Sequence, residues 1–153
     1  MGRRHLILLV AVALGGSLAV SASAAISWGE LSRGTASGGA PKSPLGYLAY
    51  ARADGGRFES RIPAARGRIV DVDFKHKAVL AIVGGFGCAD SRIAVRSIVQ
   101  HGSTLAVKLA KFPPTKGQVE CSAVFPTFRL LTIGKTELKR PLPTRVSVSV
   151  APA

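Results

Sequence analysis

An all-β fold is expected from three features of this sequence. Short runs alternate apolar and polar residues, Gly and Pro punctuate them at close intervals, and no long helical stretch follows the N-terminal segment. The pattern fits an antiparallel β-sandwich or partly open barrel of about seven or eight strands, with room for one short helix near the N-terminal part. A chain of 153 residues with 47% apolar content has enough material for one core.

The first 24 residues read as a signal peptide. Arg3, Arg4 and His5 precede the apolar run Leu6 to Val20, and Ser21-Ala22-Ser23-Ala24 supplies the small residues of a cleavage site near Ala24 or Ala25. The apolar run, broken by Gly15-Gly16, is shorter than the roughly 20 residues needed to span hydrocarbon, so no stable transmembrane segment is expected after cleavage. Residues 25–46, with the Gly-, Ser- and Pro-rich WGELSRGTASGGAPKSPLG, read as an irregular leader in which Trp28 and Leu31 stand at helical spacing. Residues 47–153 read as a single β domain.

Within that domain Tyr47 to Arg52 alternates as a strand does, and Asp54-Gly55-Gly56 turns the chain. Arg57 to Ile62 is either a returning strand or a short helix ended by Pro63. Arg68 to Phe74 reads as a strand with Val70, Val72 and Phe74 on one side and Asp71 and Asp73 solvated on the other. Ala78 to Val83 is apolar on both faces, as a central strand should be.

A glycine-rich corner, Gly84-Gly85-Phe86-Gly87-Cys88, follows. Beyond it, Arg92 to Gln100 and Thr104 to Lys111 form the clearest hairpin, with Ile93, Val95, Ser97 and Val99 facing Leu105, Val107 and Leu109. A loop centred on Gly102 then sets Gln100 opposite Thr104 and Arg96 opposite Lys108. Gln118 to Phe125 and Thr127 to Ile133 read as further strands bent at Pro126, and Thr144 to Val150 as a final, half-exposed one.

Export would place the two cysteines in an oxidising compartment, where two thiols are usually partners. A Cys88–Cys121 disulfide is expected, and closing that loop is worth about 4 kcal/mol on the chain-entropy estimate. Thiolates at this separation, with His76 and His101, lack the paired spacing of a zinc site, and Asp71 with Asp73 lacks a ligand-dense loop; no metal or cofactor is expected.

Removing the signal leaves 19 Lys and Arg against 8 Asp and Glu, a net charge of +11, which favours anionic partners. Nucleic acid is not expected among them, because no basic run is interleaved with stacking aromatics. There is no nucleophile elbow, phosphate-binding glycine loop or His-Glu-x-x-His pair, and an enzyme is not expected. The candidate interaction surface is Phe86, Arg92, Arg96 and Lys108: an aromatic at the corner and three cations on one hairpin face.

Val72-Asp73-Phe74, the run Ala78 to Gly84, the strand Ile93 to Ile98, Leu105-Ala106-Val107 and Phe125-Pro126 with Leu130 and Ile133 follow one another in an order that resembles the C-terminal domain of PrcB-type protease-complex subunits. The resemblance covers residues 70–135; such domains commonly carry Gly and Tyr where this chain has Ser91-Arg92. It implies a non-catalytic extracytoplasmic β module acting through protein contacts, and it favours the short helix around Phe58. The expected function is therefore that of a secreted protein-binding or accessory module with an extracytoplasmic protein partner. Adhesion to an anionic envelope polymer or membrane surface through a basic face is the alternative.

Overall fold

The structure, a computed structural model, describes residues 24–35, 44–60, 62–87, 93–112 and 125–152. Its regular elements are seven strands and one short helix. The strands are β1 (Trp28–Thr35), β2 (Leu45–Ala49), β3 (Lys77–Gly87), β4 (Ile93–His101), β5 (Thr104–Lys111), β6 (Phe125–Gly134) and β7 (Arg145–Pro152), and the helix is α1 (Gly55–Glu59). A four-stranded sheet in the order β1-β6-β3-β2 faces a three-stranded sheet in the order β4-β5-β7, and neither closes into a barrel. The all-β sandwich expected from the sequence is the fold that forms.

Strand direction alternates along the chain, and this accounts for every ladder. β1 with β6, β2 with β3, β3 with β6 and β4 with β5 are antiparallel, whereas β5 and β7, separated by one passage through the other sheet, run parallel. The one parallel pair departs from the purely antiparallel expectation for that reason.

The run Ala78 to Val83 is the centre of the molecule. Ala78, Leu80 and Ile82 point between the sheets at Ile98, Leu105, Val107, Leu109, Leu131 and Ile133. Val79, Ala81 and Val83 point the other way, into a second cluster with Phe128, Leu130, Ile62 and Ile69. All six residues of the run are at most 1% exposed, which is why no polar alternation appears there.

The second cluster is roofed by residues 62–74, and here the expected strand Arg68 to Phe74 is corrected. Both edges of β3 are already taken by β6 and β2, so no ladder is open to it. The segment is bonded to itself instead, Arg68 N–H to Ala65 O at 3.1 Å, Val72 N–H to Ile69 O at 3.2 Å and Lys77 N–H to Asp73 O at 2.9 Å. Ile69 is buried and Val72 and Phe74 half-buried, while Val70 is 49% exposed; the apparent period of two did not describe a strand. Ahead of this roof, Asp54-Gly55-Gly56 begins α1 rather than a hairpin, and Asp54 Oδ2 accepts the N–H groups of Tyr50 and Ala51 at 2.9 Å each. Between the strand and helix readings of residues 57–62, the helix is the one found as far as Glu59.

The irregular leader is also corrected. Trp28–Thr35 is a full edge strand on β6, with Trp28 half-buried against the inter-sheet core and Glu30 paired with Arg129. Its composition is poor for a strand, but a ladder partner outweighs weak intrinsic preference. Leu31 stands at a register shift and is 37% exposed, so its helical spacing from Trp28 reflects a bulge. Residues 36–43 lie outside the described residues.

The β4–β5 hairpin forms with a different register. Its loop is the two residues Gly102-Ser103, with His101 opposite Thr104 and Gln100 opposite Leu105. Gly102 at φ +55 adopts the backbone that two-residue hairpin loops need and that other residues resist. A bulge between Val95 and Ser97 then restores the inward facing of Val95, so Ile98 rather than Val99 is the fully buried residue of β4.

At the end of the sandwich that holds this loop, polar groups tie the connections together. Lys135 Nζ donates to Tyr50 O at 3.0 Å and Phe74 O at 2.5 Å, and the Tyr50 hydroxyl donates to Pro143 O at 2.8 Å. Gln100 Nε2 donates to the carbonyls of Gly102, Lys139 and Pro141, and its Oε1 accepts the Lys139 N–H at 2.8 Å. The strand ends Thr35, Leu45, Gly87, Ile93, Lys111 and Phe125 lie at the opposite end.

Candidate functional site

The three-stranded sheet buries one face and presents the other. Leu105, Val107 and Leu109 of β5 lie beside Val146, Val148 and Val150 of β7 on the inner side, which leaves Thr104, Ala106 and Lys108 beside Arg145, Ser147 and Ser149 on the outer side. On β4 the outer partners are His101 opposite Thr104, Val99 opposite Ala106 and Ser97 opposite Lys108. The bulge adds Arg96, so Arg96 and Ser97 together stand against Lys108.

The result is a face in three rows. One end row is Arg96 and Ser97, Lys108, Ser149; the middle row is Val99, Ala106, Ser147; the other end row is His101, Thr104, Arg145. Lys108 and Thr104 are four residues apart on β5, so the cationic rows are separated by about 13 Å. The middle is flat, because Ala and Ser project little beyond the pleat.

The charge on this sheet is of one sign. β4, β5 and β7 contain no Asp or Glu, and the described acids Glu30, Asp54, Glu59, Asp71, Asp73 and Glu137 all belong to other parts of the chain. Among the described residues, Arg96, Lys108 and Arg145 have no carboxylate partner. Arg96 and Lys108, like charges on neighbouring strands, repel each other without compensation. An anion seated between them removes that penalty, and this is the chemistry the arrangement offers.

Of the sequence-derived site residues, Arg96 and Lys108 are both exposed on this face. They are not directly opposite, as the odd-length loop would have made them: Ser97 faces Lys108 across the ladder, because the loop is one residue shorter and the bulge absorbs the difference. Phe86 lies in β3 opposite Pro126, at a register shift in that ladder. Arg92, Cys88 and Cys121 lie outside the described residues, as does the expected strand Gln118 to Val124. Sequence reasoning missed Arg145, His101, Ser147 and Ser149. The alternation of β7 marked its outward residues, but nothing local to it signalled a parallel neighbour 40 residues upstream.

The charged groups elsewhere have structural uses. Asp73 accepts a hydrogen bond from the His76 ring, Oδ2 to Nδ1 at 2.7 Å, and another from the Lys75 N–H at 3.0 Å. The His76 bond first and the Lys75 bond second hold its carboxyl below the ordinary range. Burial of the Tyr50 phenol pushes it up to about 12. Glu30 bridges Arg129 and Arg33 across the β1 edge.

Clefts are present among the described residues. One of about 190 Å³ is lined by Ala24, Ala25, Ile26, Gln100, Glu137 and Lys139, and one of about 160 Å³ by Gly46, Tyr47, Leu48, Asp54, Arg57, Thr144 and Val146. Their carboxylates are engaged by backbone, Glu137 by the Ser27 N–H at 2.7 Å and Asp54 by two N–H groups. No cluster of three His, Cys, Asp or Glu suited to a metal occurs among the described residues, and no helix among them is long and apolar enough to cross a membrane. Compared with known families, with curated proteins and with solved structures, the chain has no match.

Proposed function

We propose that this protein is an exported, non-catalytic binding module that adheres through the outer face of its three-stranded sheet to an anionic polymer of the cell envelope. The observation that carries the reading is the acid-free sheet, with Arg96, Lys108 and Arg145 unpaired among the described residues on a Ser- and Ala-rich face. Of the two partners opened by the sequence, this face suits the polymer better than a protein. Protein interfaces draw most of their energy from buried aromatic or large apolar anchors, and the three rows contain none. A polyanion needs only spaced cations and hydroxyls.

Binding of the purified protein to isolated envelope polymer tests this. Affinity should fall steeply between low and high salt, because exposed charges are screened over a Debye length of about 8–10 Å at physiological ionic strength. Arg96→Glu with Lys108→Glu should lower it at least tenfold while the thermal midpoint is kept. Salt-independent binding, or binding untouched by the double substitution, would exclude this face.

The protein-contact reading keeps one specific support, the order of elements that resembles PrcB-type domains, and its candidate residue Phe86 stands on β3 at the end of the ladder away from the Gly102-Ser103 loop. A Cys88–Cys121 disulfide belongs to the same proposal. Gly87 pairs with Phe125 at the end of the β3–β6 ladder, so the connections bearing the two cysteines leave the sheets from neighbouring strands. Mass measurement before and after reduction should differ by two hydrogen atoms; two free thiols in exported protein would remove the pairing.

A further inference from the structure

Ala24, the last of the small residues Ala22-Ser23-Ala24 in the sequence, leads directly into the fold. Ala25 forms a bridge with Val99 on the edge of β4, the Ile26 N–H donates to Ile98 O at 2.9 Å, and the Ile26 side chain, 4% exposed, is part of the inter-sheet core. Two residues further on, the chain has crossed to the other sheet as β1. A few residues therefore lace the two sheets together, and both expected cleavage positions fall among them.

These positions differ in what they leave behind. Hydrolysis of the Ala24–Ala25 bond adds water across it, giving a carboxylate on the departing Ala24 and an ammonium on Ala25. Ala25 is exposed and lies in the cleft with Gln100, Glu137 and Lys139, so this ammonium keeps water around it and a carboxylate in its neighbourhood. Hydrolysis after Ala25 instead puts the ammonium on Ile26. That nitrogen is held against Ile98 O at the rim of the core, where a charge has lost much of its hydration and two additional N–H groups need acceptors.

We infer that the maturation cut falls between Ala24 and Ala25, and that the cleft beside Glu137 is the seat of the new N-terminus. The inference rests on the export reading above. It also fixes an order of events: the bond is cut while the chain is still extended, because once Ala25 and Ile26 have joined β4 the scissile bond is held against a strand edge.

Express the full-length chain, recover the protein from outside the cell, and determine its first residue by N-terminal sequencing and intact mass. Ala25 is the expected residue. A chain beginning at Ile26 or later would overturn the inference and leave export intact; an uncut chain retained in the cell would remove both. Mature chains released from a cleavable fusion with Ala25 or Ile26 as first residue supply the second measurement. The Ile26-first chain should melt about 4 °C lower at pH 6. The gap should narrow above pH 8, once the terminal ammonium deprotonates at its ordinary value of about 8. Equal midpoints at both pH values would show that the seat contributes nothing.

Discussion

Gly46 of β2 lies directly against Val146 of β7. A Cβ at Gly46 would overlap Val146 Cγ1, come within 2.7 Å of Val146 Cβ and reach 3.2 Å from Val148 Cγ2. The absence of a side chain is what lets the edge of one sheet close on the edge of the other. Gly46→Ala should therefore cost about 1–3 kcal/mol as an overpacking change. Urea unfolding of Gly46→Ala, Val146→Ala and the double variant checks the mechanism: the double should be more stable than the sum of the singles implies.

Tyr50 ties the end of β2 to the turn before β7. Tyr50→Phe should lose about 1 kcal/mol through the hydrogen bond to Pro143 O. The phenol's folded value of about 12 lies above its ordinary value of 10.0, so the folded state holds this proton over a range where the unfolded state has lost it. Stability should fall as pH rises from about 10 to 12. The substitution should remove that part of the alkaline limb in thermal midpoints measured against pH.

The acid limb has a different source. Asp73 is held below the ordinary carboxyl range, so its contribution is present above the unfolded value and is lost as pH falls through the folded one. Asp73 is fully exposed, and the effect should be confined to the turn it caps. Asp73→Asn should flatten the pH dependence of the midpoint below roughly pH 4, with a small loss at pH 7 that disappears in acid, where the native carboxyl is itself protonated. An unchanged acid limb would assign that limb to other carboxylates.

Among the described residues, the Gln100 amide holds the Lys139–Pro141 segment to β4, through the Lys139 and Pro141 carbonyls and the Lys139 N–H, and also donates to Gly102 O. Gln100→Ala should cost about 1–2 kcal/mol. It should also increase amide exchange at Lys139 more than at Leu105, which is held in the β5 ladder. Equal changes at both amides would point to global loosening instead.

What could be read from the sequence depended on how local the determinant was. The doubly apolar run before Gly84 announced β3 because burial on both faces leaves no polar residue to mislead the eye. The β4–β5 hairpin was legible as an element but not in register, since the choice of Gly102-Ser103 as a two-residue loop and the bulge at Arg96 compensate each other and leave the same hydrophobic rows facing inward near the start of the strand. β1 was invisible, because Trp28–Thr35 is a strand only by virtue of β6, about 100 residues away. Arg68 to Phe74 showed the converse failure, an alternating pattern laid over β3, whose two edges are already filled by β6 and β2. Half of the candidate face was legible for the same reason: Arg96 and Lys108 share a hairpin, whereas Arg145 joins them through a non-local parallel ladder.

That ladder sets the order in which the molecule can be completed. Until Arg145–Pro152 pairs with it, β5 is an open edge with Leu105, Val107 and Leu109 uncovered along one flank. A chain cut short before Arg145 would therefore carry a four-stranded sheet beside an incomplete second one. It should lack Arg145, Ser147 and Ser149 from the outer face and be prone to pair its bare β5 edge with another copy.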